Sequence, residues 1–127
     1  MPAYTYKRID DMEASFQGAF KKVRAELGVS SFGIQVLDLP PNLDAYPEHD
    51  HGEDGQEEVY AVLRGAARMR VEGDELDLTP DTVVRVGPGV KRKITTGAEG
   101  ARILAIGGVP GQAYKINPTT ELTGAAA

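Results

Sequence analysis

Two histidines and a group of acidic residues are the part of this 127-residue sequence whose side chains could bind a metal ion. His49 and His51 are the only histidines, and they lie two residues apart in the segment Y-P-E-H-D-H-G-E-D-G-Q-E-E-V-Y. In an extended strand, residues i and i+2 point to the same face, so both imidazoles would project from one side of a sheet. The spacing predicts a pair of metal ligands, and the alternative is a hydrogen-bonded pair lining an empty pocket.

A carboxylate would complete such a site, because imidazoles and a carboxylate are a set that divalent first-row metals commonly use. Several acidic residues crowd the same stretch: Asp50, Glu53, Asp54, Glu57 and Glu58. If Glu58 points inward on a strand, then Tyr60 and Val62 also point inward and Glu57 faces the other side. Both faces are apolar enough that the alternation alone does not choose between the two glutamates.

The composition limits the classes of partner that we expect. The net charge of −5 argues against a nucleic-acid or anionic-membrane surface, since either would favour an excess of Lys and Arg. The absence of cysteine removes disulfides, zinc ribbons and thiol nucleophiles from consideration. Neither a signal peptide nor a membrane span is visible in the apolar pattern. We therefore expect a cytoplasmic protein that binds a small-molecule ligand.

The chain is long enough for one domain and too short for two ordinary ones. Apolar residues at spacings of three and four predict a short amphipathic helix over 21–27, ended by Gly28. Residues 31–39 then read as a strand that ends at the P-P-N of 40–42.

From there to about residue 109, short apolar or β-branched runs alternate with turn residues. The predicted strands are 58–63, 66–71, 75–78, 82–86, 91–95 and 102–106, with a hairpin turn at 72–74 and a loop, T-G-A-E-G, before the last strand. Strands at this even spacing predict an all-β fold, an antiparallel sandwich or barrel with a short N-terminal helix. Gly65 and Gly73 stand where a corner and a tight turn are needed. Beyond Gly107 the periodicity is lost, which predicts a tail that frays after Pro118.

The histidine pair and the residues around it resemble the motifs of the cupin family. The first cupin motif runs from a glycine through His-x-His to a Glu, then six residues to a Gly. Here His49 and His51 supply the pair, and Glu58 and Gly65 supply the Glu and the Gly with six residues between them. Leu43 stands where the leading glycine belongs. The gap from His51 to Glu58 is longer than the family pattern, so the loop G-E-D-G-Q-E must bulge, which its two glycines permit.

The second cupin motif has the form Pro-x-Gly-x-x-His, and G-P-G-V-K-R at 87–92 aligns with it, with Gly87 in place of the proline. Arg92 stands in place of the final histidine. A guanidinium stays protonated and has no lone pair to give, so Arg92 cannot be a metal ligand. Arg92 could bind a substrate carboxylate or enolate, or it could pair with Glu58 and leave the barrel free of metal.

The resemblance covers about residues 32–107 and implies a small antiparallel β-barrel of the jelly-roll (double-stranded β-helix) type. A single domain follows, with a helix and strand at 4–28, the barrel core at about 32–107 and a tail at 108–127. The resemblance also implies a homodimer, and a divalent transition metal (Fe, Mn, Ni or Zn) held by His49, His51 and Glu58. Two imidazoles and one carboxylate leave open positions for water, dioxygen or a chelating substrate.

Three further residues are predicted to act in catalysis: Arg92, Tyr46 and Tyr60. Each tyrosine could reach the pocket as a proton donor or a substrate contact, although burial of an aromatic ring with a satisfied hydroxyl is the commoner explanation. The expected function is a metal-dependent oxygenase or isomerase of a small anionic or enolisable molecule. The alternative is a non-catalytic binding or regulatory barrel. The predicted core consists of Phe16, Phe20, Phe32, Met69, Val84, Val86, Ile94, Ile103 and Leu104.

Overall fold

The structure, a computed structural model, describes residues 2–124 and is dominated by antiparallel strands. Strand β1 (Ala14–Ser15) and strand β2 (Phe20–Lys21) form a short hairpin, and helix α1 (Val23–Leu27) follows. The remaining strands are β3 (Gly33–Leu39), β4 (Glu57–Val71), β5 (Asp74–Leu78), β6 (Val83–Val86) and β7 (Arg92–Gly108). Two short 3-10 helices lie at Ile9–Asp11 and Pro118–Thr120.

The sheet has the order β1-β2-β3-β7-β4-β5, and β6 pairs with the first half of β4. Strands β4 and β7 pair with each other over most of their lengths. The register shifts between Val62 and Arg64 and again between Gly65 and Ala67, and such bulges bend a strand. The bend carries this antiparallel pair of strands across both halves of the barrel, so the predicted all-β antiparallel fold with a short helix is confirmed.

Gly65 has the positive φ of +75° that the corner requires, and a Cβ atom there would lie 2.3 Å from the carbonyl oxygen of Gly100. The corner predicted at Gly65 is therefore present, but the chain does not stop pairing there. Strand β4 runs through the position where two strands, 58–63 and 66–71, were predicted. Strand β7 likewise runs through T-G-A-E-G, where residues 97–100 form a bulge between the paired positions Ala67–Thr96 and Gly65–Ala101, so the predicted loop lies within one strand.

The barrel interior is filled by residues from every long strand, among them Leu37, Tyr60, Met69, Ile94 and Ile103. A second apolar cluster, formed by Met12, Val23 and Val36, packs the N-terminal segment against β3. Of the predicted core, Met69, Val86, Ile94 and Ile103 are buried, and Phe20, Val84 and Leu104 are partly buried. Phe16 and Phe32 are exposed, so their assignment to the core was wrong.

The helix begins two residues later than predicted, because Lys21 belongs to strand β2. It ends as predicted, at Gly28, whose backbone is left-handed. No helix in residues 2–124 is long and apolar enough to cross a membrane.

The C-terminal segment is anchored where the sequence predicts fraying. The carboxylate of Glu13, just before β1, accepts hydrogen bonds from the backbone N–H groups of Thr123 and Gly124. The Lys22 ammonium donates both to Glu13 (2.7 Å) and to the Glu121 carbonyl (2.9 Å). The prediction of a frayed end after Pro118 is thus wrong up to Gly124, and the last three residues of the predicted tail lie outside the described residues.

The contacts of Glu13 with the C-terminal segment predict how the stability of the protein changes in acid. The hydrogen bond from Lys22, together with those from Thr123 and Gly124, holds the pKa of Glu13 at about 2, below its usual 4.5. A depressed carboxyl pKa stabilises the folded state above pH 4.5, and the stabilisation is lost as the pH falls towards 2. We expect Glu13→Gln to lower the melting temperature at pH 7 by about 5 °C.

The expected difference between wild type and Glu13→Gln shrinks when melting curves are recorded from pH 5 down to pH 2. Glu99→Gln, at an exposed position, is the control and should melt like the wild type. A difference between Glu13→Gln and wild type that stays constant over this pH range would contradict the role assigned to the Glu13 carboxylate.

Candidate metal centre

His49 pairs with Arg92, the residue that stands in place of the histidine of the second cupin motif. The backbone groups of His49 and Arg92 exchange two hydrogen bonds, of 3.0 and 2.9 Å, in an isolated antiparallel bridge. Residues directly opposite each other in an antiparallel pair point to the same face. The bridge therefore sets the side chain of Arg92 beside that of His49, although 42 positions separate them in the sequence.

The loop between His51 and Glu58 bulges as predicted. The N–H of Gly55 donates to the carbonyl of His51 at 2.8 Å, and Gly55 has a φ of +72°. The turn leads into β4, where the side chains of Glu58 and Tyr60 face the barrel interior. Glu57 faces outward and pairs with Arg85 on β6 at 3.1 Å. The choice between the two glutamates is therefore decided in favour of Glu58.

The three predicted ligands lie together. One ligand atom from each of His49, His51 and Glu58 lies within 4.8 Å of the others. The two imidazole rings are 5.4 Å apart between centroids and nearly perpendicular. This arrangement leaves room for an ion among them, because typical metal–nitrogen and metal–oxygen distances near 2.1 Å place two ligand atoms about 3–4 Å apart.

Hydrogen bonds fix the roles of the imidazole nitrogens. His49 Nδ1 lies 3.2 Å from the Pro47 carbonyl oxygen, so Nδ1 carries the proton and Nε2 has a lone pair to give. His51 Nδ1 lies 3.0 Å from an Asp54 carboxylate oxygen, and His51 Nε2 lies 3.0 Å from Glu58 Oε1. A carboxylate on Nδ1 is the usual outer partner of a metal-binding histidine.

Glu58 is held by three donors on one oxygen. Its Oε1 accepts from the Tyr60 hydroxyl at 2.6 Å, from the Arg92 guanidinium and from His51. Within residues 2–124, no hydrogen bond reaches Glu58 Oε2. The carboxylate is thus oriented by one oxygen and keeps the other available for a ligand or an ion.

Arg92 is fully buried, and all three of its nitrogens are engaged. Nε donates to the Tyr60 hydroxyl (3.3 Å), Nη1 donates to the Val90 carbonyl (2.9 Å), and Nη2 donates to Glu58. Its side chain does not line the cavity. The predicted direct contact between Arg92 and a substrate therefore does not fit this structure, whereas the predicted pairing of Arg92 with Glu58 is present.

The charges of the site follow from these contacts. Burial raises the pKa of Glu58, but hydrogen bonds from His51, Tyr60 and Arg92 outweigh it and hold this pKa at about 2. The hydrogen bond to Glu58 raises the pKa of His51, whereas burial lowers that of His49. The site therefore combines a carboxylate, a guanidinium, a neutral imidazole and an imidazole that gains a proton readily.

The cluster opens into a cavity of about 420 Å³, a size suited to a small organic molecule. Tyr46 lines this cavity, and its ring centroid lies 5.9 Å from that of His49. Burial raises the pKa of the Tyr46 hydroxyl, so the phenol stays protonated at neutral pH. Tyr60 also lines the cavity, but its hydroxyl is already bound to Glu58 and Arg92.

The sequence analysis did not assign the roles that two further residues have in this site. Asp54 was one of several acidic candidates, and its spacing of three residues from His51 was the available signal for its contact with Nδ1. Tyr114 also lines the cavity and belongs to the segment predicted as a tail. No local sequence signal indicates that residue 114 returns to the barrel.

Solved structures share the fold of this chain, although its sequence matches no known family. No protein-family model and no curated protein matches the sequence. Among solved structures, a cupin protein from Bacteroides fragilis is similar over 97% of this chain and 98% of its own, with a TM-score of 0.71 and 18% identity. The chain has the cupin fold. The predicted barrel type is thereby confirmed, together with the antiparallel topology described above.

Two other cupin-fold neighbours carry different names. KdgF from Halomonas sp. matches 72% of this chain and 76% of its own, with 10% identity and a TM-score of 0.58. A chain from the structures of the DMSP lyases RdDddP and RnDddQII matches 61% of this chain and 38% of its own, with 26% identity and a TM-score of 0.55. A shared fold does not determine an activity, so this chain's own site must carry the functional argument.

Proposed function

We propose that this cupin is a metal-dependent enzyme, an oxygenase or isomerase, that acts on a small anionic or enolisable molecule. The observation that carries the proposal is the convergence of His49, His51 and Glu58 within 4.8 Å at the cavity. The proposal takes the protein to be a single domain, a homodimer and cytoplasmic, as predicted from the sequence.

The donor atoms suit a divalent transition metal such as Fe, Mn, Ni or Zn. The lone pairs that the contacts described above leave for an ion are those of His49 Nε2, Glu58 Oε2 and, after loss of its proton, His51 Nε2. Asp54 and Pro47 hold the opposite ring nitrogens, which keeps both imidazoles in the orientation that ligation needs. A metal bound there would supply Lewis acidity towards an oxygen atom of the ligand.

The charge balance supports an anionic ligand. Arg92 neutralises Glu58, so a divalent ion at the cluster would leave the site with an excess of positive charge. Arg92 is 0% exposed, so water does not screen its charge as it would at the surface. A carboxylate or enolate oxygen entering the cavity would reduce this excess.

The two predicted catalytic tyrosines have different roles in the proposal. Tyr60 and Arg92 orient Glu58 and do not touch the ligand. Tyr46 lines the cavity beside His49 and, within residues 2–124, its hydroxyl has no hydrogen-bond partner. We assign to Tyr46 the donation of a hydrogen bond to the oxygen on which negative charge develops.

One observation favours a second function, a metal-free binding or regulatory barrel. The Arg92 guanidinium contacts Glu58, and His51 lies between Glu58 and Asp54. These contacts satisfy the charges of the cluster without an ion. In that case Tyr46 and the imidazoles would bind an anion as hydrogen-bond donors.

Metal analysis of protein purified without a histidine tag tests the proposal. We expect about one equivalent of transition metal in the wild type after reconstitution, and a large loss in Glu58→Gln. Glu53→Gln, a change of the same kind in the same loop at an exposed position, is the matched control and should bind like the wild type. Less than about a tenth of an equivalent in reconstituted wild type would overturn the metal-dependent function and favour the metal-free barrel.

A further inference from the structure

The C-terminal segment forms one wall of the cavity. Residues 109–124, here called the strap, leave β7 and return across the open end of the barrel. Four of their side chains line the cavity beside the metal cluster: Tyr114, Asn117, Thr119 and Thr120. None of these residues belongs to the barrel or to either cupin motif.

The far end of the strap is fixed by charged residues of the N-terminal segment. Glu13 binds the backbone of Thr123 and Gly124, Lys22 binds the Glu121 carbonyl, and Arg24 pairs with the Glu121 carboxylate. The side chains of Glu13, Lys22 and Arg24 are each about 95% buried. The wall is therefore held in place before a ligand arrives, which reduces the entropy that binding would cost.

Among the strap hydroxyls that line the cavity, the hydroxyl of Tyr114 is the one still available to a ligand in the described part of the chain. The hydroxyls of Thr119 and Thr120 already donate to Asn117, at 2.9 and 2.7 Å. Within residues 2–124 the Tyr114 hydroxyl has no hydrogen-bond partner, although the side chain is half-buried at the cavity. Burial raises the pKa of this phenol, so it remains a donor at neutral pH.

Gly33 leaves space for the hydroxyl of Tyr114. A Cβ atom on Gly33, the first residue of β3, would lie 2.8 Å from the Tyr114 hydroxyl oxygen. The phenol thus lies directly against the backbone of the barrel rim. Any larger residue at position 33 would push the hydroxyl away from its present place.

We propose that Tyr114 is a specificity-determining residue that donates a hydrogen bond to an acceptor oxygen of the small anionic molecule bound at the cluster. The inference rests on the proposed function for the ligand class but not on the presence of the metal. The ligand has one oxygen at the His49, His51 and Glu58 cluster and a second acceptor that reaches the strap.

Calorimetric titration of three probe anions, oxalate, malonate and acetylacetonate, tests this role. Each is titrated into Mn²⁺-loaded and metal-free protein, and Mn²⁺ binding is measured separately. We expect Tyr114→Phe to bind at least one probe about tenfold more weakly than wild type, with Mn²⁺ affinity unchanged within about twofold. Tyr6→Phe, which removes the hydroxyl of a tyrosine that is 88% exposed, is the matched control and should bind like wild type.

Gly33→Ala provides a second variant that leaves the hydroxyl in place but displaces it, and it should weaken the same probe. Equal affinities of Tyr114→Phe and Tyr6→Phe for all three probes would overturn the inference, as would a lack of probe binding to wild type in both metal states. If wild type takes up no Mn²⁺ but Tyr114→Phe still weakens a probe in the metal-free protein, the metal-dependent function fails and the role of Tyr114 stands.

Discussion

Replacing Arg92 with methionine is expected to lower the free energy of unfolding by about 3 kcal/mol, because it leaves the carboxylate of Glu58 without its buried cation. Arg92 is completely buried and Glu58 is 16% exposed. Removing one partner of a buried pair costs more than the pair contributes, since the remaining charge is desolvated and uncompensated. Denaturant unfolding of the variant, with and without metal, measures the loss.

The neighbouring pair on the outer face is a matched control. Glu57 precedes Glu58 and pairs with Arg85 in the same manner, but these side chains are 41% and 64% exposed. Arg85→Met should therefore cost less than about 1 kcal/mol. Adding Glu58→Leu to Arg92→Met should recover much of the lost stability, because an apolar replacement of the whole pair leaves no unpaired charge. An Arg92→Met protein as stable as Arg85→Met would contradict the buried-pair account.

Replacing Arg92 with histidine is expected to tighten binding of a divalent transition metal by about 100-fold. The substitution removes a cation that sits beside the cluster and repels a divalent ion by several kcal/mol at short range. It also places a third imidazole, and with it a fourth possible ligand, directly opposite His49, with which residue 92 forms a backbone bridge. Competition with a chromophoric chelator for Zn²⁺ or Mn²⁺ measures the affinity.

Arg92→Gln separates the two contributions, because glutamine removes the charge and offers no imidazole. We expect its metal affinity to lie between those of wild type and Arg92→His. If Arg92→His binds metal no better than Arg92→Gln, residue 92 does not point at the cluster as the bridge to His49 indicates. If both bind like wild type, the charge of Arg92 has no influence on the site.

Residue types and local spacing were enough to predict part of the site. The two-residue spacing of His49 and His51 placed both imidazoles on one side, and the turn residues predicted an antiparallel β fold. The chemistry of a guanidinium was sufficient to exclude Arg92 as a ligand before its position was known. These conclusions needed only residue types, periodicity and the resemblance to the cupin motifs.

Other features of the site depend on pairing between distant segments, which local spacing does not predict. Strand register turned Glu58 inward and Glu57 outward, which alternation alone could not settle, and pairing on both sides of the bulges joined strands that glycines divide in the sequence pattern. The bridge between His49 and Arg92 set the guanidinium beside the cluster, where it contacts Glu58, is fully buried and does not line the cavity. The strap returned Tyr114 to the barrel mouth through contacts of Glu13, Lys22 and Arg24 with residues about 100 positions away, and such contacts leave no periodic signal in a single sequence.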